Sequence, residues 1–129
     1  MERFFWICLA GALGTGTRHL VNVWAAEKFG TAFPYGTLAV NVVGCFSIAL
    51  VMRLALHMPT FSPELRLVLT TGFLGGLTTY SSFNYEVTAL YREGTRTLAL
   101  VYGGATLASC LVAGLLGLAL AERLATRVT

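Results

Sequence analysis

The sequence predicts an all-α integral membrane protein with four transmembrane helices. The chain has 129 residues and a mean hydropathy of +0.71, and only 12% of its residues are charged. A soluble domain normally carries about 25% charged residues, so this composition excludes an ordinary soluble fold. The net charge is +3, and the charged residues lie at the ends of apolar stretches. Nucleic-acid-binding surfaces need clustered Lys and Arg, so this distribution argues against nucleic-acid binding.

The chain contains four runs without a charged residue. They cover residues 4–17, 29–52, 67–85 and 97–121, which are 14, 24, 19 and 25 residues long. A membrane-crossing helix needs about 20 largely apolar residues. The last three runs meet this requirement, and the first meets it only if the helix continues past Arg18. We therefore expect one transmembrane domain over residues 1–129, with spans near 4–25, 35–56, 67–91 and 97–121. A secretory signal is the alternative for the first span.

Three short connections are predicted between these spans, near residues 26–34, 57–65 and 92–96. They contain all three prolines of the chain and Gly94, which are residue types typical of turns. Connections this short leave no room for a separate soluble domain.

The distribution of Lys and Arg gives almost no preferred orientation. With four spans, five basic residues lie on one side of the membrane and four on the other, whereas an excess normally marks the cytoplasmic side. A chain with so small a bias can insert both ways, and the simplest assembly that uses both orientations is an antiparallel dual-topology homodimer. A single topology decided by one arginine is the alternative.

Cysteine and histidine do not form a recognisable metal motif. Cys8, Cys45 and Cys110 each fall inside a predicted span and have no partner at metal-ligand spacing, so we interpret them as small core residues. His19 and His57 lie near the ends of different spans. No nucleophile and base pair appears at membrane depth, so we expect no enzyme.

Polar side chains form a stripe on each of two spans. Asn41 shares a helix face with Thr37 and Gly44, and Tyr102 and Thr106 lie one helical turn apart. Polar groups at membrane depth are unfavourable unless they have partners or line a cavity. Each stripe is either a pore lining or a helix-packing face, since hydrogen bonds and small residues also hold membrane helices together.

The stretch GFLGGLTTYSSFNYE, residues 72–86, interrupts the third span. Its three glycines, followed by Thr78 and Thr79, predict a helix that breaks near mid-membrane and frees backbone carbonyls. Broken membrane helices often present carbonyl groups to cations and amide groups to anions. The sequence therefore predicts an ion site in this span.

Aromatic and hydroxyl side chains follow the predicted break. Tyr80 and Phe83 share a helix face, and Ser81 and Ser82 lie beside them. The edge of an aromatic ring is positive, so ring edges together with hydroxyl and amide donors replace the water shell of a small anion. A kinked helix with simple aromatic packing is the alternative.

Three segments, GALGTGTRH, PYGTLAVNVVGCF and GFLGGLTTYSSFNYE, resemble the Fluc or CrcB family of bacterial fluoride channels in order and position. The resemblance implies an antiparallel homodimer of four-helix subunits in the bacterial inner (plasma) membrane. It also implies two fluoride pathways per dimer and one structural sodium ion on the two-fold axis. The implied partners are fluoride, the lipid bilayer and a second copy of the chain, with no organic cofactor and no nucleic acid.

The resemblance also assigns roles to individual residues. It implies that the backbone carbonyls of Gly75 and Thr78 bind the sodium ion. The implied fluoride pathway consists of Arg18, Asn41, Tyr80, Ser81, Ser82, Phe83, Tyr102 and Thr106.

Two of these positions, Arg18 and Tyr80, and the neighbouring Glu86 have more than one interpretation. Tyr80 stands where the family usually has phenylalanine. Arg18 has a second interpretation as an anchor at a helix end. Glu86, at the end of the motif, either orients polar partners or is an exposed acid at the end of a span.

The implied function is passive, potential-driven fluoride export that confers fluoride resistance. Hydrogen fluoride enters a cell as a neutral acid and dissociates there, and an inside-negative potential drives the anion out with about 2.3 kcal/mol per 100 mV. The alternatives are a small multidrug-resistance-type transporter and a non-transporting membrane assembly subunit. The transporter needs a carboxylate within the membrane, for which Glu86 is the only candidate.

Overall fold

The computed structural model describes residues 1–57 and 61–126, and every regular element in these residues is helical. The chain therefore has the predicted all-α class over its described part. The long helices follow the apolar runs, because each run is bounded by the turn residues noted above. The elements are α1 (Glu2–Phe29), α2 (Tyr35–His57), α3 (Pro63–Leu67), a π-helical segment (Val68–Leu74), α4 (Gly75–Leu77), α5 (Tyr80–Arg92) and α6 (Arg96–Ala125).

Within the described residues, α2 and α6 are the helices long and apolar enough to cross a membrane. They contain 23 and 30 residues, or about 34 and 45 Å at 1.5 Å per residue. Only 17% and 22% of their most apolar stretches are buried within the chain. Most of their apolar surface therefore faces outward, as expected of helices surrounded by lipid.

The helix formed by α3, the π-helical segment and α4 packs closely on α1. Gly14 lies against the backbone of Phe73, and Gly76 lies against the Gly11 carbonyl, so a Cβ atom at either glycine would overlap its neighbour. Such small-residue contacts let membrane helices approach closely. Gly72 and Gly76 thus serve packing against α1, and Gly75 between them is helical as well.

The helix formed by α3, the π-helical segment and α4 is interrupted two residues after its last glycine. Thr78 (φ −84°, ψ 154°) and Thr79 (φ −154°, ψ 116°) are extended, and α5 begins at Tyr80. The predicted interruption is present, but its position is set by the threonines. The carbonyl end of α4 and the amide end of α5 therefore meet at one point, with their partial charges facing the break.

The core of the chain lies beside this break. Val40 of α2 packs with Leu74 and Leu77, and Val21 and Phe73 surround them. This cluster fixes the end of α4 against α2. Asn41, the residue after Val40 on α2, is consequently held at the break.

The interpretation of all three cysteines as core residues is wrong for Cys8, which is exposed on the surface of α1. Cys45 and Cys110 are half-buried. The sequence pattern failed here because residue type alone does not show which face of a helix another helix covers.

Candidate functional site at the broken helix

Asn41 holds the break in place through two hydrogen bonds to one residue. Its Nδ2 donates to the Thr79 carbonyl at 3.1 Å, and the Thr79 N–H donates to its Oδ1 at 2.8 Å. Asn41 is only 8% exposed, so the amide takes the place that water or a neighbouring peptide would otherwise fill. In a continuous helix, the Thr79 N–H would instead bond to the carbonyl of Gly75.

The break presents two backbone carbonyls named by the resemblance. The Thr79 N–H, which would bond to the Gly75 carbonyl in a continuous helix, donates to Asn41 instead. Gly75 is also exposed. The Thr78 carbonyl accepts a hydrogen bond from Arg18 Nη1 at 3.2 Å and keeps a second lone pair. Arg18 therefore contacts the break from α1. Neutral carbonyl oxygens at an unwound helix suit a sodium ion, while the guanidinium adds a positive charge nearby.

A hydroxyl cluster caps the start of α5. Thr79 Oγ1 accepts from the Ser82 N–H at 3.2 Å and lies 3.1 Å from Ser82 Oγ and 3.2 Å from Ser81 Oγ. Side-chain capping of this kind stabilises a helix start by about 1 kcal/mol. Both serines thus belong to the cap, and Ser81 is also exposed on the outer face of the chain.

A cavity of about 240 Å³ lies at the break, between α2, α5 and α6. Asn41, Tyr80, Phe83 and Thr106, all predicted for the anion pathway, line it. The space admits a small ion with several waters, since one water occupies about 30 Å³ in the liquid. The other lining residues are Cys45, Thr78, Thr79, Leu107 and Cys110.

Two hydrogen-bond donors are available beside this cavity. The Asn41 amide has two N–H groups and uses one of them on Thr79. Thr106 is 4% exposed, and its hydroxyl has no hydrogen-bond partner among the described residues. It lies near the phenol of Tyr102, whose proton goes to Glu86. An enclosed hydroxyl without a partner is unfavourable, and the phenol oxygen of Tyr102 is the polar group near it.

Four aromatic rings form a column beside the cavity. Tyr102 is fully buried and meets Phe33 and Phe83 edge-on, with ring centroids 5.2 and 5.4 Å away. Tyr80 lies 5.8 Å from Phe83 and is 75% exposed. The edge-on arrangement directs positive ring edges toward neighbouring groups. Phe33 was not predicted from the sequence, because it lies in the connection before α2 and joins the column only in three dimensions.

Glu86 joins three helices. Thr37 Oγ1 of α2 donates to its Oε1 at 2.7 Å, and the Tyr102 hydroxyl of α6 donates to its Oε2 at 2.6 Å. Of the two interpretations of Glu86, the structure agrees with the one in which it orients polar partners. A second cavity, of about 300 Å³, is lined by Thr37 and Glu86 together with Asn22, Ala26, Gly30, Thr31, Phe33, Pro34, Tyr35 and Gly36.

The two cavities are neighbours along the helices. Asn41 of the first cavity and Thr37 of the second lie one turn apart on α2, and Phe83 and Glu86 lie about one turn apart on α5. One helical turn is about 5.4 Å. Tyr102 and its hydrogen bond to Glu86 therefore lie at the boundary between the cavities.

Sequence comparison decides the family. The sequence model of the CrcB-like protein family, described as Camphor Resistance (CrcB), matches residues 5–118. The chain belongs to this family. The family relatives are named as ion channels, which is a non-enzymatic function, and the resemblance noted in the sequence is confirmed.

The curated relatives match over nearly their whole length. A protein of Sorangium cellulosum is 48% identical over 124 residues, covering 96% of this chain and 98% of the relative. One from Anaeromyxobacter sp. (strain K) is 50% identical over 113 residues, covering 88% and 90%. One from Geotalea uraniireducens is 45% identical, covering 96% and 100%. All three are named fluoride-specific ion channel FluC.

Proposed function

We propose that this chain forms a fluoride-selective channel through which cytoplasmic fluoride leaves the cell passively, conferring fluoride resistance. The name of the relatives supports the ion. The observation that carries the proposal is the cavity at the break, which the Asn41 amide and the buried Thr106 side chain line together with the rings of Tyr80 and Phe83. A small anion loses its water shell in such a place and regains hydrogen bonds from these donors.

Passage also requires that fluoride leave the site. Binding in a channel must be weak enough for release, and the Glu86 carboxylate at the boundary between the cavities repels an anion. Its two hydroxyl donors, Thr37 and Tyr102, hold the carboxylate in place. The membrane potential supplies about 2.3 kcal/mol per 100 mV for one charge, so net export follows from the inside-negative potential.

The active assembly is an antiparallel dual-topology homodimer of four-span subunits in the bacterial inner membrane, with two pathways. Exposed polar residues support this assembly because lipid would not satisfy them. They lie on the π-helical segment and α5, and include Thr71 and Asn84. A second copy that covers this face gives them protein partners. The nearly equal counts of basic residues permit both orientations.

A structural sodium ion is part of the same proposal. The carbonyl oxygens of Gly75 and Thr78 would hold it, and a two-fold axis through this face would double the number of ligands. When bound, the ion supplies a positive charge at the carbonyl end of α4. Asn41 contributes indirectly, since it takes the Thr79 N–H away from Gly75.

The test is fluoride efflux from liposomes loaded with potassium fluoride, started with valinomycin and read with a fluoride electrode, beside chloride-loaded liposomes. Two substitutions separate the hydroxyl from the shape of the side chain. Thr106→Val lowers the fluoride rate by at least about tenfold, the effect of a barrier raised by about 1.4 kcal/mol. Thr106→Ser keeps the hydroxyl and most of the rate.

Each outcome has a separate meaning. Wild-type rates in Thr106→Val would remove the hydroxyl from the pathway. Equal release of chloride would contradict selectivity. No fluoride release from folded wild-type protein would contradict the channel function and leave the assembly subunit as the better explanation.

A further inference from the structure

Two of the three cysteines line the same cavity. Cys45 of α2 and Cys110 of α6 both line the space at the break, each one turn beyond another lining residue, Asn41 on α2 and Thr106 on α6, so the two cysteines occupy corresponding positions on neighbouring helices. Cys8 lies apart from them, exposed on α1. The chain thus contains one thiol pair and one separate thiol that serves as an internal control.

Close packing of α2 on α6 brings the two cysteines near each other. A Cβ atom added at Gly114 would lie 3.8 Å from the Cys45 carbonyl, and one added at Gly117 would overlap the Phe46 carbonyl. Cys110 lies one turn before Gly114 on the same helix. The helix backbones are therefore near each other at this level, and short side chains such as cysteine reach across the interface.

A pair of neighbouring thiols is a ligand set for soft cations. Sulfur ligands select soft metals such as Cu(I), and d¹⁰ ions such as Hg(II), Ag(I) and Cu(I) accept two thiolates in a linear arrangement. Binding releases one proton from each thiol, because the thiolate is the ligand. With Hg(II), two thiolates give a neutral complex, which suits a cavity whose walls are largely apolar.

We propose that Cys45 and Cys110 form a two-thiolate site for a soft d¹⁰ metal cation, and that the bound ion closes the cavity beside Asn41 and Thr106. The metal site stands on the thiol pair alone, whereas the block of fluoride passage rests on the proposed function. The chain would then be a channel that is shut by thiophilic metals.

Metal retention tests the site without any transport measurement. Purified protein in detergent receives one equivalent of mercuric chloride and is gel-filtered in an excess of 2-mercaptoethanol, and the retained mercury is measured by elemental analysis. A preformed pair outcompetes a free monothiol because the second thiol acts at an effective concentration in the millimolar range. Wild type and Cys8→Ser retain about one mercury per chain, while Cys45→Ser and Cys110→Ser retain at least about tenfold less. Retention by both of these variants, or loss by wild type, would overturn the site.

Fluoride efflux tests the block. Mercuric chloride stops release through wild type and Cys8→Ser, whereas Cys45→Ser and Cys110→Ser each keep the rate that they have without metal. Retention of mercury by a wild-type protein that still conducts would overturn the block and leave the site standing. If no variant conducts before the metal is added, the proposed function fails, and the retention result still decides the site.

Discussion

Replacing Asn41 by alanine removes both hydrogen bonds that hold the helix break. The Thr79 N–H and carbonyl lose partners at 2.8 and 3.1 Å in a position where Asn41 is only 8% exposed. Burying two unsatisfied backbone groups would destabilise a soluble protein by about 2–6 kcal/mol, at 1–3 kcal/mol each. Within a membrane, the unfolded reference state also finds partners, and interhelical bonds average about 0.6 kcal/mol with a maximum near 1.7. The bonds of Asn41 join two helices of a membrane protein, so the membrane values apply. We therefore expect the loss of both bonds to lower the free energy of unfolding by about 1–3 kcal/mol.

Reversible unfolding in mixed micelles measures this loss, with all variants at one protein concentration because assembly couples to stability. Val43→Ala is the matched control, since Val43 is on the same helix and 55% exposed. We expect Asn41→Ala to shift the unfolding equilibrium by roughly tenfold to a hundredfold, at 1.4 kcal/mol per factor of ten. An Asn41→Ala protein as stable as the control would show that the two hydrogen bonds do not hold the break, and would refute this reasoning.

Two further substitutions test the packing and the Glu86 cluster. Gly14→Ala forces a methyl group into the Phe73 backbone, whereas Gly16→Ala on the same helix meets nothing within 4 Å. Overpacking destabilises by about 1–3 kcal/mol, so thermal unfolding should separate the two, and equal stability would contradict the close approach of α1. Tyr102→Phe keeps the ring contacts but removes the 2.6 Å bond to Glu86, and interhelical bonds in a membrane average about 0.6 kcal/mol with a maximum near 1.7. Tyr102→Phe should therefore unfold more easily than wild type, and unchanged stability would mean that the bond contributes nothing.

Local pattern in the sequence was sufficient for several features of the site. The alternation of apolar runs with turn residues predicted where the helices lie, because an apolar run in lipid must hydrogen-bond its own backbone groups and does so as a helix. The polar residues Asn41 and Thr106 stood out within apolar runs, and the structure places both at one cavity. Tyr80 and Phe83 reach the same cavity because they share a face of α5.

Other features depend on distances between segments that are far apart in the chain. The glycines of residues 72–76 looked like the cause of the break, yet all three are helical, and Gly72 and Gly76 pack on α1. The break falls at Thr79 because Asn41, 38 residues earlier, binds its backbone. Periodicity within one helix carries no information about which backbone groups of another helix it will meet.

The sequence by itself determined the helical class, the apolar runs that suit a membrane, and the polar positions within them. Only the tertiary structure decided where the third helix breaks, that Phe33 joins the aromatic column, that Glu86 holds two hydroxyls, and that Cys45 and Cys110 line one cavity. The physical reason is that helix formation uses bonds between residues four apart, whereas each of these contacts depends on how closely separate helices pack.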